Sequence, residues 1–255
     1  MHSAVRRYSV RALILALMLL AYAPCFLDRA TTARLTREDG LFEDFTALGF
    51  LVTAVLFLMA GLRLPSALAL RRRIVLCWLL SGVFLVGFLE EISWGQRILR
   101  LKTPEPLVQY NYQKEINIHN LIWLEGKDAS GKGRSFWRRM INVDRWFSLF
   151  WFGLCVVLPV ASRMSNRARA RISRLGLPLV PLWLGSLFML NYVASKLVLA
   201  ATPWNGGDVV EIKEANFALL FLVVALLHLL AGTQGRRAGS PASSGASAKV
   251  CATPT

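Results

Sequence analysis

The chain has 255 residues, 55% of them hydrophobic and 18% charged, with a mean hydropathy of +0.47, whereas roughly a quarter of an ordinary soluble domain is charged. That balance excludes an ordinary soluble fold, and 18 Gly, 10 Pro and 4 Cys exclude collagen-like, disordered and disulfide-scaffold classes. Thirty Lys and Arg against fifteen Asp and Glu leave +15, a surplus whose place along the chain decides its meaning.

In chain order, charge-free stretches run from Ala12 to Leu27, Phe45 to Leu62, Ile74 to Leu89, Trp146 to Ser162, Leu175 to Ser195 and Ala215 to Gly235. About 20 helical residues cross the hydrocarbon core of a bilayer. The shorter stretches must therefore borrow flanking residues, and the expected spans are 10–27, 43–62, 74–93, 146–162, 177–197 and 214–234. None shows the alternation of barrel strands, and an open sheet would leave backbone polar groups facing lipid. The expectation is an all-α, polytopic membrane helical bundle. It forms one transmembrane domain over 1–234, with a long, partly helical outer loop over 94–145, and ends in a disordered tail over 235–255.

Charge sets the expected orientation. Arg6, Arg7, Arg11, Arg63, Arg71 to Arg73, Arg163, Arg167, Arg169, Arg171, Arg174, Arg236, Arg237 and Lys249 lie in segments without a single acid. All fifteen acids fall in the alternate segments, Asp28 to Asp44, Glu90 to Asp144 and Asp208 to Glu214. Because Lys and Arg favour cytoplasmic loops, both termini are expected in the cytoplasm and the acids outside. The basic loops then lie beside anionic headgroups and form no nucleic-acid surface. Ala21-Tyr22-Ala23 has the form of a signal-peptide cleavage site, but Pro24 directly after it argues for an uncleaved anchor. Cys25, Cys77, Cys155 and Cys251 include no CxxC pair, so neither a disulfide oxidase nor a Cys-based zinc site has support.

Glu43 to Gly61 and Glu214 to Gly232 agree at eleven of nineteen positions. Both segments would run in the same direction, draw on Leu, Val, Ala and Phe, and begin with a Glu suited to the positive end of the helix dipole. Convergence explains the likeness better than duplication.

Glu90 and Glu91 are the least comfortable charges. The sixteen charge-free residues before them span about 24 Å of helix against about 30 Å of hydrocarbon, so both are drawn to the membrane edge. An ionisable group at that depth is a functional candidate. The alternative is a helix running on through SWGQRILR, with Glu90 and Arg97 on one face and Trp94 as interfacial anchor. In NYQKEINIHN, Glu115 and His119 are four apart and share a side of either a helix or a strand, among Asn111, Gln113, Asn117 and Asn120. Carboxylate and imidazole can move protons or hold a divalent metal, with Glu91 as a further ligand; a hydrogen-bonded structural role for His119 stands beside that.

The candidate catalytic residues are therefore Glu90, Glu91, Glu115 and His119, and the candidate metal ligands Glu91, Glu115 and His119. Candidate substrate-binding residues are Arg97, Gln113, Asn120 and Asn191. Asn191 and Ser195, four apart in the fifth run, either line a polar pocket or join helix to helix. Glu38, Asp39, Glu43, Asp44, Asp208, Glu211 and Glu214 could join the cluster, although acids at helix N-termini need only the dipole to explain them. His228 reads as a lone packed histidine. Ser135 to Phe147 places Phe136, Met140, Val143 and Phe147 on one face, as in an amphipathic helix lying on the outer leaflet.

EEISWGQR, KTPE and NYQKEINIHN resemble a series carried by a group of bacterial multi-pass membrane proteins of unassigned activity. The likeness covers residues 90–97, 102–105 and 111–120, and the group carries a smaller residue where Lys114 stands. The resemblance implies a bacterial, inner-membrane protein and ties Glu90, Glu91, Arg97, Gln113, Glu115, His119 and Asn120 into one unit. The EExxxR motif of CAAX-protease-like enzymes does not fit, since Arg97 lies beyond that spacing and the intramembrane histidines are missing. A ceramidase-like zinc site needs several histidines, and no Walker A or Rossmann glycine pattern occurs.

These residues support two readings of function. One is a membrane-embedded hydrolase or transferase acting at the outer face on a lipid or lipid-linked substrate, with Arg97 holding an anionic group. The other is a non-catalytic membrane subunit or small transporter, with the outer loop as a docking surface. Membrane lipids surround the chain in both.

Overall fold

The computed structural model describes residues 2–37, 39–64, 71–111, 114–118, 121, 122, 124, 142–175, 177 and 179–238. These are helical throughout apart from turns and one isolated antiparallel bridge, Asn111 to Leu121. Helix α1 (His2–Leu20) runs into a tight turn at Ala23–Phe26, where Pro24 halts the helix. Asp28 caps α2 (Arg29–Thr36), its carboxylate accepting from the Thr31 amide at 2.7 Å. Then come α3 (Leu41–Arg63), α4 (Arg71–Glu91), the short α5 (Gln96–Leu99) and α6 (Glu105–Tyr110). Helix α7 (Val143–Phe152) passes through a π-helical turn, Gly153–Val157, into α8 (Leu158–Met164). The chain closes with α9 (Asn166–Leu175), α10 (Leu182–Ala201) and α11 (Gly206–Ala238).

Among the described residues, four helical stretches are long and apolar enough to cross a membrane: the one ending in α3, α4, the 22-residue run Val143–Met164, and α10. Helix α1 adds a shorter apolar stretch, Tyr8–Leu20. Several expected boundaries move. The third helix stops at Glu91 instead of running through SWGQRILR, because the next residues turn left-handed. The fifth starts at Leu182, since Pro181 suits a helix start and no interior position. Helix α11 reaches Ala238, so residues 235–238 continue it rather than opening a disordered tail. Residues 239–255 lie outside the described residues, as do residues 135–141 of the expected amphipathic helix, whose last part is the first turn of α7, capped by Asn142.

Close contacts fix how the helices run. Gly61 faces Trp78 while Gly87 faces Phe50, so α3 and α4 are antiparallel. Gly49 meets Ala218, and Phe57 packs on His228, so α3 and α11 lie side by side in the same direction. Trp151 stacks on Phe188, and a Cβ on Gly185 would collide with the backbone carbonyl of Cys155; α10 therefore passes antiparallel to α7 and α8 at the π turn. Glycine at 185 is a requirement of that approach. The shared core is aromatic, with Phe57, Phe84, Trp151, Phe188, Phe217 and Phe221 all buried around α11. Such rings bury large areas and interlock edge to face, as Phe188 and Phe221 do at a centroid distance of 4.9 Å.

These directions sort the charges. The described acids gather at one end, where α3, α7 and α11 begin and α4 finishes. Arg63, Arg71 to Arg73, Arg163 and the arginines of α9 gather at the other.

Candidate functional site

A reversal of the chain just past α4 organises the acidic end. Ser93, Trp94 and Gly95 have φ of +47°, +55° and +75°, three successive left-handed residues. For a residue other than glycine that region costs roughly 1–2 kcal/mol, so side-chain bonds must hold Ser93 and Trp94 there. The Ser93 hydroxyl donates to the Glu115 carboxylate. Trp94 Nε1 donates to Glu90 Oε1 at 2.6 Å, and the Ile118 amide donates to Glu90 Oε2 at 2.6 Å. Gln96 then ties the reversal to the next segment: its Nε2 donates to Thr103 Oγ1 at 2.7 Å and its Oε1 accepts from the Ile116 amide at 2.6 Å. Thr103 Oγ1 donates in turn to the Lys114 carbonyl at 2.6 Å. Asn111 Nδ2 reaches the backbone and side-chain oxygens of Asn117 at 2.8 and 2.6 Å. The EEISWGQ and NYQKEINI segments are thus one hydrogen-bonded knot across the end of α4.

Lys114 takes φ +57° within it, a conformation that glycine adopts without strain. Lys114→Gly removes the Cβ clash while making the unfolded chain freer, so we expect a gain of up to about 1 kcal/mol. Thermal melting of the detergent-solubilised protein checks this, and a loss of stability would contradict it.

Beneath the knot lies a cavity of about 330 Å³. Six carboxylates line it: Glu43 from α3, Glu90 and Glu91 from α4, Asp144 from α7, and Glu211 and Glu214 from α11. Thr36, Ser93 and Asn117 add polar groups, while Phe50, Val83, Phe84, Val86 and Phe147 form an apolar wall. The carboxylates differ in their bonding. Glu90 uses both oxygens to clamp the knot, Glu43 accepts from the Asp39 amide at 2.7 Å, and Glu214 lies 3.4 Å from Lys213 Nζ. Glu91, half-buried, takes no hydrogen bond and no ion pair among the described residues.

The expected site residues therefore separate. Glu90 and Glu91 share the cavity, and Glu115 is linked to it through Ser93. Arg97 lies on α5, just after the reversal. His119, Gln113 and Asn120 lie outside the described residues. Among the described residues no three His, Cys, Asp or Glu side chains come close enough to share a metal ion.

Asn191 is not part of the cavity lining. Fully buried, it accepts from the Tyr22 hydroxyl at 2.8 Å and from Asn216 Nδ2 at 3.1 Å, and it donates to the Lys213 carbonyl at 3.0 Å. Its place is the joint between α1, α10 and α11, the helix-joining alternative of the two readings that the sequence offers for it. Ser195 bonds within its own helix, to the Tyr192 carbonyl. His228 packs on the Phe57 ring and lies 3.4 Å from Cys77 Sγ, a partly buried contact.

Sequence reasoning names Glu43, Glu211 and Glu214 as acids that could join the cluster, beside a dipole role that suffices to explain them, and misses Asp144, Ser93, Gln96 and Thr103. Glu43 and Asp144 stand in the first turns of α3 and α7, and Glu211 and Glu214 in the early turns of α11, as dipole-matched acids do; only the packing shows that these three helix starts and the end of α4 surround a single volume. The fold and site define an all-helical bundle with membrane-length apolar helices and a carboxylate-lined cavity at one end. No protein-family model, no curated protein and no solved structure matches this chain.

Proposed function

We propose that the chain is a bacterial inner-membrane protein of six spans, both termini cytoplasmic, that works as a hydrolase or transferase on a lipid or lipid-linked substrate. Its carboxylate cavity faces the periplasm. The observation that carries this reading is the make-up of the cavity. A carboxylate with no fixed bond, Glu91, stands where polar walls meet a wall of Phe50, Val83, Phe84, Val86 and Phe147. A lipid-linked molecule matches that division, its polar group among the carboxylates and its chain against the rings. Glu91 would take a proton from the attacking group or return one to the leaving group. Glu90 and Glu115, both engaged in the knot, would shape the site rather than react. Arg97 on α5 would hold an anionic substrate group, with His119, Gln113 and Asn120 as further candidate contacts.

The aromatic packing below the cavity, where Phe84 and Phe147 meet Phe221, supports an enzyme over a transporter, which needs a polar route toward the basic end. The test is a comparison of membrane-lipid composition, by mass spectrometry, between cells of the parent bacterium with and without this gene. One lipid or lipid-linked species should accumulate without it and return to its former level when the gene is restored. Identical composition in both would sink the enzymatic reading.

A further inference from the structure

The basic end carries a surface that the cavity does not explain. Helix α9, NRARARISRL, holds four arginines in ten residues and no acid. Ser165 breaks the chain between α8 and α9 and caps the new helix, its Oγ accepting from the Ala168 amide at 3.3 Å. Arg169 Nε donates to the Ser162 carbonyl at 3.1 Å, folding α9 back on the end of α8. Ile172 is buried and Ala168 half-buried, four residues apart, so one stripe faces the protein. Arg167, Arg171 and Arg174 are exposed at four- and three-residue spacing and share a face.

Taken alone, this arrangement is electrostatically unfavourable. Like charges at that spacing repel, and arginines in the first turn oppose the helix dipole. No acid of α9 offsets them, and the described acids stand at the opposite end of the bundle. An anionic surface reverses the sign of both effects. The helix is also flanked by exposed apolar side chains, Met164 at 82% and Leu175 at 54%, which suits a helix lying flat at a headgroup boundary with its ends dipping toward the acyl chains. All the cations are arginine, whose planar guanidinium pairs with phosphate through two parallel bonds.

We propose that α9 is a binding surface for anionic phospholipid headgroups, with Arg167, Arg171 and Arg174 as the phosphate-binding groups. This inference rests on the reading of the flanking helices as membrane spans, and is independent of any activity in the cavity. The test is thermal melting of the full-length purified protein in zwitterionic phosphatidylcholine micelles, in the same micelles with phosphatidylglycerol added, and with inorganic phosphate alone. Phosphatidylglycerol should raise the melting temperature by about 5 °C, and phosphatidylcholine or inorganic phosphate should not.

The triple variant R167Q/R171Q/R174Q should melt normally in phosphatidylcholine and lose the phosphatidylglycerol increment. Replacement of the exposed Arg29, Arg34 and Arg37 at the other end should leave the increment intact. If the Gln variant fails to fold, the lysine version R167K/R171K/R174K serves, and it should keep only part of the increment. An equal increment in the wild type and the Gln or Lys variant, no increment in the wild type, or full reproduction by inorganic phosphate would each overturn the assignment. Extraction of the chain from membranes by carbonate, without detergent, would mark failure of the membrane reading itself.

Discussion

Glu91→Gln is expected to lower turnover of the proposed lipid substrate by about 10²–10⁴-fold, the usual contribution of a general acid or base, while leaving the protein folded. The substitution keeps shape and size but removes the group that can exchange a proton. Since Glu91 carries no hydrogen bond or ion pair among the described residues, the fold loses little with it, and the melting temperature should hold or rise. Glu90→Gln should behave differently. Both Glu90 oxygens accept bonds, from Trp94 and from the Ile118 amide, whereas an amide offers one accepting oxygen and turns a donor toward the second partner. One clamp on the left-handed turn is lost, at a cost of about 1–3 kcal/mol, and activity falls together with stability. Initial rates and melting curves on the two variants separate a reacting group from a positioning one. Near-normal rates in the Glu91 variant would remove it from the chemistry.

That division is only half legible in the sequence. The discomfort of Glu90 and Glu91 comes from counting residues between Arg73 and the first acid, because helix rise and bilayer thickness are fixed lengths. Which of the two is bonded and which is not depends on the turn at Ser93 to Gly95. Ser and Trp carry no signal for a left-handed conformation, which glycine and asparagine normally occupy, so SWGQRILR reads as a continuing helix. The likeness between Glu43 to Gly61 and Glu214 to Gly232 is visible without coordinates, and the structure gives it a physical setting. Helices α3 and α11 are parallel neighbours in contact at Gly49 and Ala218, and each presents a Glu to the same cavity. Similar surroundings at both ends favour similar residues without any need for duplication. Pro181 and Asn142 carry the signals that start α10 and α7, yet a count of charge-free residues passes over both and places the spans at 177–197 and 146–162; the extension of α11 to Ala238 has no such signal.

Asn191→Leu is expected to cost about 1–3 kcal/mol of stability. Leucine fills a similar volume, so the loss is one of hydrogen bonds rather than packing. Three groups lose their bond to this side chain: the Tyr22 hydroxyl, which keeps the Asn191 carbonyl at 3.4 Å, Asn216 Nδ2 and the Lys213 carbonyl. An unsatisfied buried group costs about 1–3 kcal/mol in proteins generally, but the average for bonds between membrane helices is nearer about 0.6 kcal/mol, because the separated helices find other partners. Asn216 keeps its bond to the Met18 carbonyl at 3.1 Å and the Tyr22 hydroxyl its longer one to the Asn191 carbonyl, so the Lys213 carbonyl bears most of the loss. Ser195→Ala, which removes a bond within α10 and a lesser contact with the Tyr22 hydroxyl, should cost less than Asn191→Leu, about 0.5–1 kcal/mol. The double variant Asn191→Leu with Asn216→Leu should cost less than the sum of the two single changes, since they share a bond. Denaturant titration in micelles measures all of these. Additive losses at 191 and 216 would show that α1, α10 and α11 are held by packing of the aromatic core alone, and that the polar joint at Lys213 and Asn216 does not fix the position of the neighbouring Glu211 and Glu214.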